Sequence, residues 1–247
     1  TQPEGEFEFK RKDASTDKPA IEIADLMQKA IDAIGGEANL RKLTSRVVEA
    51  DIDMENQGVK GSATVYSKAP HFSATETTMT ALGKKIAMGW EYFDGTGGEE
   101  VYTFAPVEKY AGKKLADIKI GSDFYSPLNW KTSYKKAEVR GIKKVGDEDA
   151  YVVALETENG TNATEYYSTK TFLLLKRDGF SASSTTQRQL PYTVLYSDYR
   201  DVDGVKLPFK TVNNTVSMGD IVTTIRSVKH NVQLDDKLFA PRKVEMK

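Results

Sequence analysis

Ile23, Leu26, Met27, Ala30, Ile31 and Ile34 recur at helical spacing with polar residues between them, which predicts an amphipathic helix over 19–35. Pro19 suits its first turn, and Gly35-Gly36 ends it because glycine accepts a left-handed cap. "EANLRKL" predicts one further helical turn. The period then drops to two. In Arg46–Met54, Val48, Ala50, Ile52 and Met54 point one way and Glu49, Asp51 and Asp53 the other, predicting a strand with one buried and one wet face. "NQG" turns the chain at Gly58, and Val59–Tyr66 alternates again, predicting a hairpin.

Further strands are predicted at 71–80, 84–93, 99–105, 137–145, 149–157, 164–168, 171–178, 180–190, 192–201, 205–216 and 220–232. Their turns carry Asp94-Gly95, Gly97-Gly98, Gly146-Asp147, Asn159-Gly160, Asp178-Gly179 and Asp203-Gly204. Pro208 inside a strand-like run marks an edge or a bulge. This spacing predicts a mainly β fold, one large curled antiparallel sheet or barrel. Residues 106–136 break the alternation. Leu115, Ile118, Phe124, Tyr125, Leu128 and Trp130 are bulky but not period-two, predicting a helix and turn, or two short helices, that cap the curved sheet. Residues 1–18 carry no sustained period and read as a frayed arm, with "EFEFK" as an alternative short strand; 19–247 read as a single β domain.

With 35 basic and 36 acidic residues the chain gives no electrostatic reason to expect nucleic acid as a partner. The absence of cysteine excludes disulfides, thiolate metal sites, a Cys nucleophile and an acyl anchor through Cys. No apolar run approaches the roughly 20 residues of a membrane span. The chain opens on a polar segment with no signal-peptide pattern, as a mature or trimmed form would.

Motifs for chemistry are sparse. There is no GxSxG elbow, no HExxH and no GxxxxGK[ST] loop. "GTGG" at 95–98 reads as a hairpin turn, and His71 and His230 as solvent-facing strand residues. Glu49, Asp51 and Asp53 read as a solvated face. No enzyme activity, cofactor or metal is expected. Lys131, Lys135, Lys136, Arg140, Lys143 and Lys144 form a basic run opposed only by Glu138, read either as solvated lysines or as a contact for anionic head groups or a partner. Methionine and aromatic residues concentrate between 70 and 130, as core or as an adaptable ligand lining. Met88 and Trp90, two apart, share one strand face, and Phe124 and Trp130 sit in the insertion that could fold over it. These four are the candidate lining of an apolar hollow.

An ordered series of stretches resembles a known family: "LMQKAIDAIGGEANLRKLTS", "VYSKAPH", "YFDGTGGEE", "DFYSPLNWK", "GDEDAYVVALETENG", "YSTKTFLLLKRD", "YSDYRDVDGVKLPFKT" and "VKHNVQLDDKLFAPR". Over about 21–241 the chain resembles the LolA/LolB/LppX superfamily of lipoprotein-sorting-like proteins, and more narrowly a LolA-like group of periplasmic proteins. The resemblance implies a half-barrel, with the N-terminal helix and the 106–136 insertion on the concave side; a closed lipocalin-like barrel is the nearest alternative. It implies a non-catalytic periplasmic binding or carrier protein for an acyl chain, lipid or lipoprotein. The alternative is an accessory subunit docking on a larger cell-envelope complex through the 1–18 arm and the basic run. No residue matches the gating arginine of LolA.

Overall fold

The computed structural model describes residues 21–158, 161–182 and 188–245. The predicted arm at 1–18, Pro19 and the Asn159-Gly160 turn lie outside the described residues. The N-terminal stripe forms α1 (Ile23–Ala33), and the extra turn forms α2 (Gly36–Leu40). Six strands follow as consecutive hairpins: β1 (Ser45–Met54), β2 (Val59–Lys68), β3 (Phe72–Ala81), β4 (Lys84–Asp94), β5 (Gly98–Tyr102) and β6 (Ala105–Lys109). The non-alternating stretch holds two short helices, α3 (Gly112–Gly121) and α4 (Trp130–Ser133). Seven more strands complete the chain: β7 (Lys136–Val145), β8 (Glu148–Glu156), β9 (Asn162–Ser168), β10 (Leu174–Ala182), β11 (Gln189–Val202), β12 (Val205–Thr215) and β13 (Gly219–His230).

All thirteen strands join one antiparallel sheet in the order β6-β5-β4-β3-β2-β1-β13-β12-β11-β10-β9-β8-β7. Every pairing but one links sequence neighbours; β1 with β13 joins the two halves. β6 and β7 end the sheet and do not meet, so it is an open half-barrel and not a lipocalin-like closed barrel. The basic run thereby gains a structural role. Lys136, Arg140, Lys143 and Lys144 lie on the edge strand β7, where charge discourages pairing with another chain. Lys136 and Arg140 both pair with Glu138, and Lys144 with Asp149.

Two predicted boundaries are corrected. The helical insertion starts at Gly112, because 105–109 pair with β5 as a strand. Asp178-Gly179 is not a turn: β10 runs straight through it, and Gly179 pairs with Tyr192 on β11. A Cβ on Gly179 would lie 2.6 Å from the Tyr192 hydroxyl oxygen, so this glycine makes room for a neighbour's ring. Pro208 sits where β12 bonds only β11. Pairing with β13 starts at Lys210, which leaves Pro208 on a local edge, as a residue without an N–H requires.

α1 buries Leu26, Met27, Ala30 and Ile31 against the sheet. Its first half packs on Val139, Val153, Leu155 and Tyr167 of β7–β9, and Ile31 on Leu40, Leu43 and Val205. The far end of α1 is fixed by a backbone approach. Gly35 has φ 121°, and a Cβ there would fall 2.1 Å from the Gly204 carbonyl oxygen. The Lys206 N–H donates to the Ile34 carbonyl at 2.9 Å, and the Asn39 amide donates to the Gly35 carbonyl at 3.0 Å. The β11–β12 turn therefore grips the end of α1.

Where β12 and β13 part, a polar bridge spans them. His230 Nδ1 lies 2.9 Å from Asp203 Oδ2, and Arg46 Nε donates to His230 Nε2 at 3.0 Å. The His230 side chain is 1% exposed, correcting the solvent-facing reading. Its ring must be neutral, donating from Nδ1 and accepting at Nε2. Burial pushes its pKa down, against the opposing pull of the Asp203 hydrogen bond. A depressed histidine adds stability that is present above the unfolded value of about 6.5 and lost as pH falls below it. The expected outcome is a urea midpoint that drops between about pH 7 and 5. His230→Gln should flatten that slope, and an unchanged slope in the variant would refute the assignment.

Candidate functional site

The main cavity lies between the inner face of β9–β12 and a cover made of α1, α3 and α4. It measures about 600 Å³, within the ~300–1,000 Å³ usual for small-molecule sites. Along β11 its wall runs from Tyr192 through Val194 and Tyr196 to Tyr199. The seven residue steps between them, at ~3.4 Å each, make this wall of the trough at most about 24 Å long. Strict alternation would turn Tyr199 away from Tyr196. Asp198 interrupts it with φ 53°, so both tyrosines face inward.

The two ends of the trough differ. Near the β11–β12 turn the wall is apolar: Met27, Ala30, Ile31 and Ile34 of α1, with Leu207 and Pro208. Trp130 closes this part from the insertion. Its position is set by Asp123, which is buried and accepts hydrogen bonds from the Tyr125 N–H at 2.9 Å and the Asn129 amide at 2.8 Å. The Tyr125 hydroxyl then ties the loop to the Leu43 carbonyl at 2.9 Å.

The other end is polar. Glu165 and Arg177 are cross-strand partners on β9 and β10, with Arg177 Nη1 donating to Glu165 at 2.7 Å. Tyr167 donates to the other Glu165 oxygen at 2.6 Å, and Arg177 Nη2 donates to the Tyr134 hydroxyl at 3.4 Å. Burial opposes the Arg177 charge, yet Glu165 and the surrounding phenols outweigh it and hold the guanidinium charged. Burial pushes Tyr196 up to about 12, and raises Tyr134 and Tyr167 as well, so all three phenols keep their protons. Asp117, on α3, faces the same space, and burial raises its pKa too. Buried polar atoms without a partner gather here: Asp117 Oδ2, Thr161 Oγ1 and Arg177 Nε. Among the described residues no group of three or more His, Cys, Asp or Glu could hold a metal ion.

The four residues singled out in the sequence separate into two places. Trp130 lines the main cavity. Phe124 packs beside it against the Ile31–Leu40–Leu43–Val205 cluster. Met88 and Trp90 lie on β4, in the other half of the sheet, and border a shallower groove. Trp90 is 1% exposed and covered by the C-terminal segment: its Nε1 donates to the Ala240 carbonyl at 3.1 Å, and the Arg242 guanidinium lies 4.6 Å from its ring centre. Glu165, Arg177, Tyr192 and Tyr196 were not singled out. Glu165 had a signal, since it shares its strand phase with Ala163 and Tyr167. Arg177 had none, because a register shift between Leu174 and Lys176 hides its phase.

No family model matches the chain, and no curated protein matches it. Solved structures do. A LolA superfamily protein from Nitrosomonas europaea aligns over 90% of this chain and 99% of its own, with a TM-score of 0.55 and 16% identity. A DUF1329 family protein from Desulfovibrio piger aligns over 88% and 97%, with a TM-score of 0.57 and 14% identity. A candidate outer membrane lipoprotein-sorting protein domain from Vibrio parahaemolyticus aligns over 87% and 94%, at 0.53 and 10%. At these identities the likeness establishes the fold, and that fold is the LolA-like half-barrel the resemblance implied.

Two substitutions test the account of these side chains. Trp90→Ala removes a fully packed ring and should cost about 3–5 kcal/mol in chemical unfolding. Arg177→Met leaves Glu165 buried and unpaired, an expected loss of about 3–5 kcal/mol. Adding Glu165→Gln should recover much of that loss, and an additive double variant would show that the pair is not coupled.

Proposed function

We propose that this protein is a non-catalytic binding or carrier protein for an acyl chain or acyl-bearing lipid, working in the bacterial periplasm. The observation that carries the reading is the trough: a cavity apolar over one end and roofed by helices. At roughly 30 Å³ per non-hydrogen atom, the share of a liquid water, 600 Å³ accommodates on the order of 20 atoms, one acyl chain of common length. The LolA-like fold supports the reading, as does the name of the Vibrio parahaemolyticus neighbour. In this reading Trp130 and Phe124 belong to the wall and its backing, and Met88 and Trp90 lie outside it, under the C-terminal segment. No described helix is long and apolar enough to cross a membrane.

α3 supplies the way in. It buries no residue of its own and caps the trough from the solvent side. Elements with so little burial open at low free-energy cost, so chain entry need not unfold the sheet.

The accessory-subunit reading draws on a different surface. Hairpin tips at one end of the sheet expose Leu82, Phe104 and Val216, at 99%, 68% and 76%. A protein partner seated there would need no lipid in the trough.

Native mass spectrometry of protein purified without detergent should show a bound species of lipid mass. Ala30→Phe, on the α1 face lining the trough, should displace it while the fold persists by circular dichroism. Adding a matching lipid should raise the Tm of the wild type and not of the variant. Lipid-free protein isolated with a stoichiometric partner would overturn carriage in favour of docking.

A further inference from the structure

The trough is not uniformly greasy, and its polar end has a definite hydrogen-bonding sense. Arg177 has five N–H donors, and two of them are used, by Glu165 and Tyr134. The hydroxyls of Tyr192 and Tyr196 have no hydrogen-bond partner among the described residues, and both rings line the trough. Against these donors stand two acceptors, Glu165, whose oxygens accept from Arg177 and Tyr167, and Asp117 Oδ2, which has no partner. The end of the trough is thus rich in free donors. It is not rich in free positive charge, because Glu165 compensates Arg177 at 2.7 Å and Asp117 faces the same space.

Donors without net charge suit a neutral acceptor. We infer that the trough reads the head of its ligand: an ester carbonyl accepts from one of the two free hydroxyls, Tyr192 or Tyr196, with Arg177 beside the first, while the acyl chain runs toward Met27 and Ile34. This rests on the carrier reading above and narrows it to neutral acyl esters. A free carboxylate meets Glu165 and Asp117 and is disfavoured. An alkylammonium brings more donors to a site already in excess. A plain alkane leaves the hydroxyls unmatched, and such a site rejects a ligand that lacks the complementary polar group.

The strand geometry supports this polarity. Tyr192 lies over Gly179, which has no side chain to push it aside, so its hydroxyl is held against the sheet floor. Tyr196 sits four residues further along β11, roughly 13 Å away by strand rise, on the way to the apolar end. The two hydroxyls therefore offer a carbonyl two alternative positions along the trough.

The test uses delipidated wild-type protein and four sixteen-carbon probes delivered from cyclodextrin: methyl hexadecanoate, hexadecanoate, hexadecylammonium and hexadecane. Binding is read by Trp130 fluorescence, with a Trp130→Phe variant to measure the Trp90 background that is subtracted. Methyl hexadecanoate should bind about tenfold tighter than hexadecane, the worth of one good hydrogen bond. It should also bind tighter than hexadecanoate at pH 7. Tyr192→Phe with Tyr196→Phe should abolish the preference while hexadecane affinity stays the same. Equal binding of ester and alkane overturns the inference and leaves carriage standing. Tighter binding of hexadecanoate overturns it too, as does an ester preference that survives the double variant. Binding of none of the four overturns carriage itself, and the inference with it.

Discussion

The inner face of the sheet is far wider than the described helices that cover it. Thirteen strands at about 4.8 Å spacing make an arc of roughly 58 Å. α1, the longest helix among the described residues, has 11 residues and is about 16 Å long. A flat sheet of that width would leave most of one apolar face in water, so the sheet must curl around its cover. Even then the cover is discontinuous. It falls into three clusters: α1 on β7–β9, α1 and α2 with Val205, and the C-terminal segment on β3–β4. The trough is the part of the inner face that these clusters leave unfilled.

That division explains why the two halves of the sheet differ. Over β3 and β4 the chain's own C-terminal segment fills the hollow, with Phe239 against Phe72 and Arg242 over Trp90. Over β9–β12 the cover stands away from the sheet, since α1 is held at its far end by the Gly35–Gly204 approach and at its first half by β7 and β8. A helix fixed at both ends cannot sink to close the gap between them. The unfilled space is therefore built in by the anchors.

The polar end of the trough follows from the same geometry. A charged pair in a sheet interior is costly unless its hydrogen bonds are satisfied. Glu165 and Arg177 satisfy each other across adjacent strands and recruit Tyr167 and Tyr134. The network is stable as a unit and leaves hydroxyls to spare.

Local patterning determined much of this protein. The α1 stripe, the alternation of β1 and β2 and the break at 106–136 were legible in the residues, because each is a matter of spacing along the chain. Glu165 was legible in principle, as a charge on a buried strand phase. Other features were settled only by tertiary structure. Gly179 reads as a turn until Tyr192 is placed across from it. His230 reads as exposed until β12 and β13 part and Asp203 and Arg46 reach it from two other elements. Met88 and Trp90 read as sharing a hollow with Phe124 and Trp130 until the C-terminal segment, 150 residues from Trp90 at Ala240, is laid over β4. Periodicity reports which side of a strand a residue faces. It says nothing about what covers that side, and here the cover decides which apolar residues are core and which line the trough.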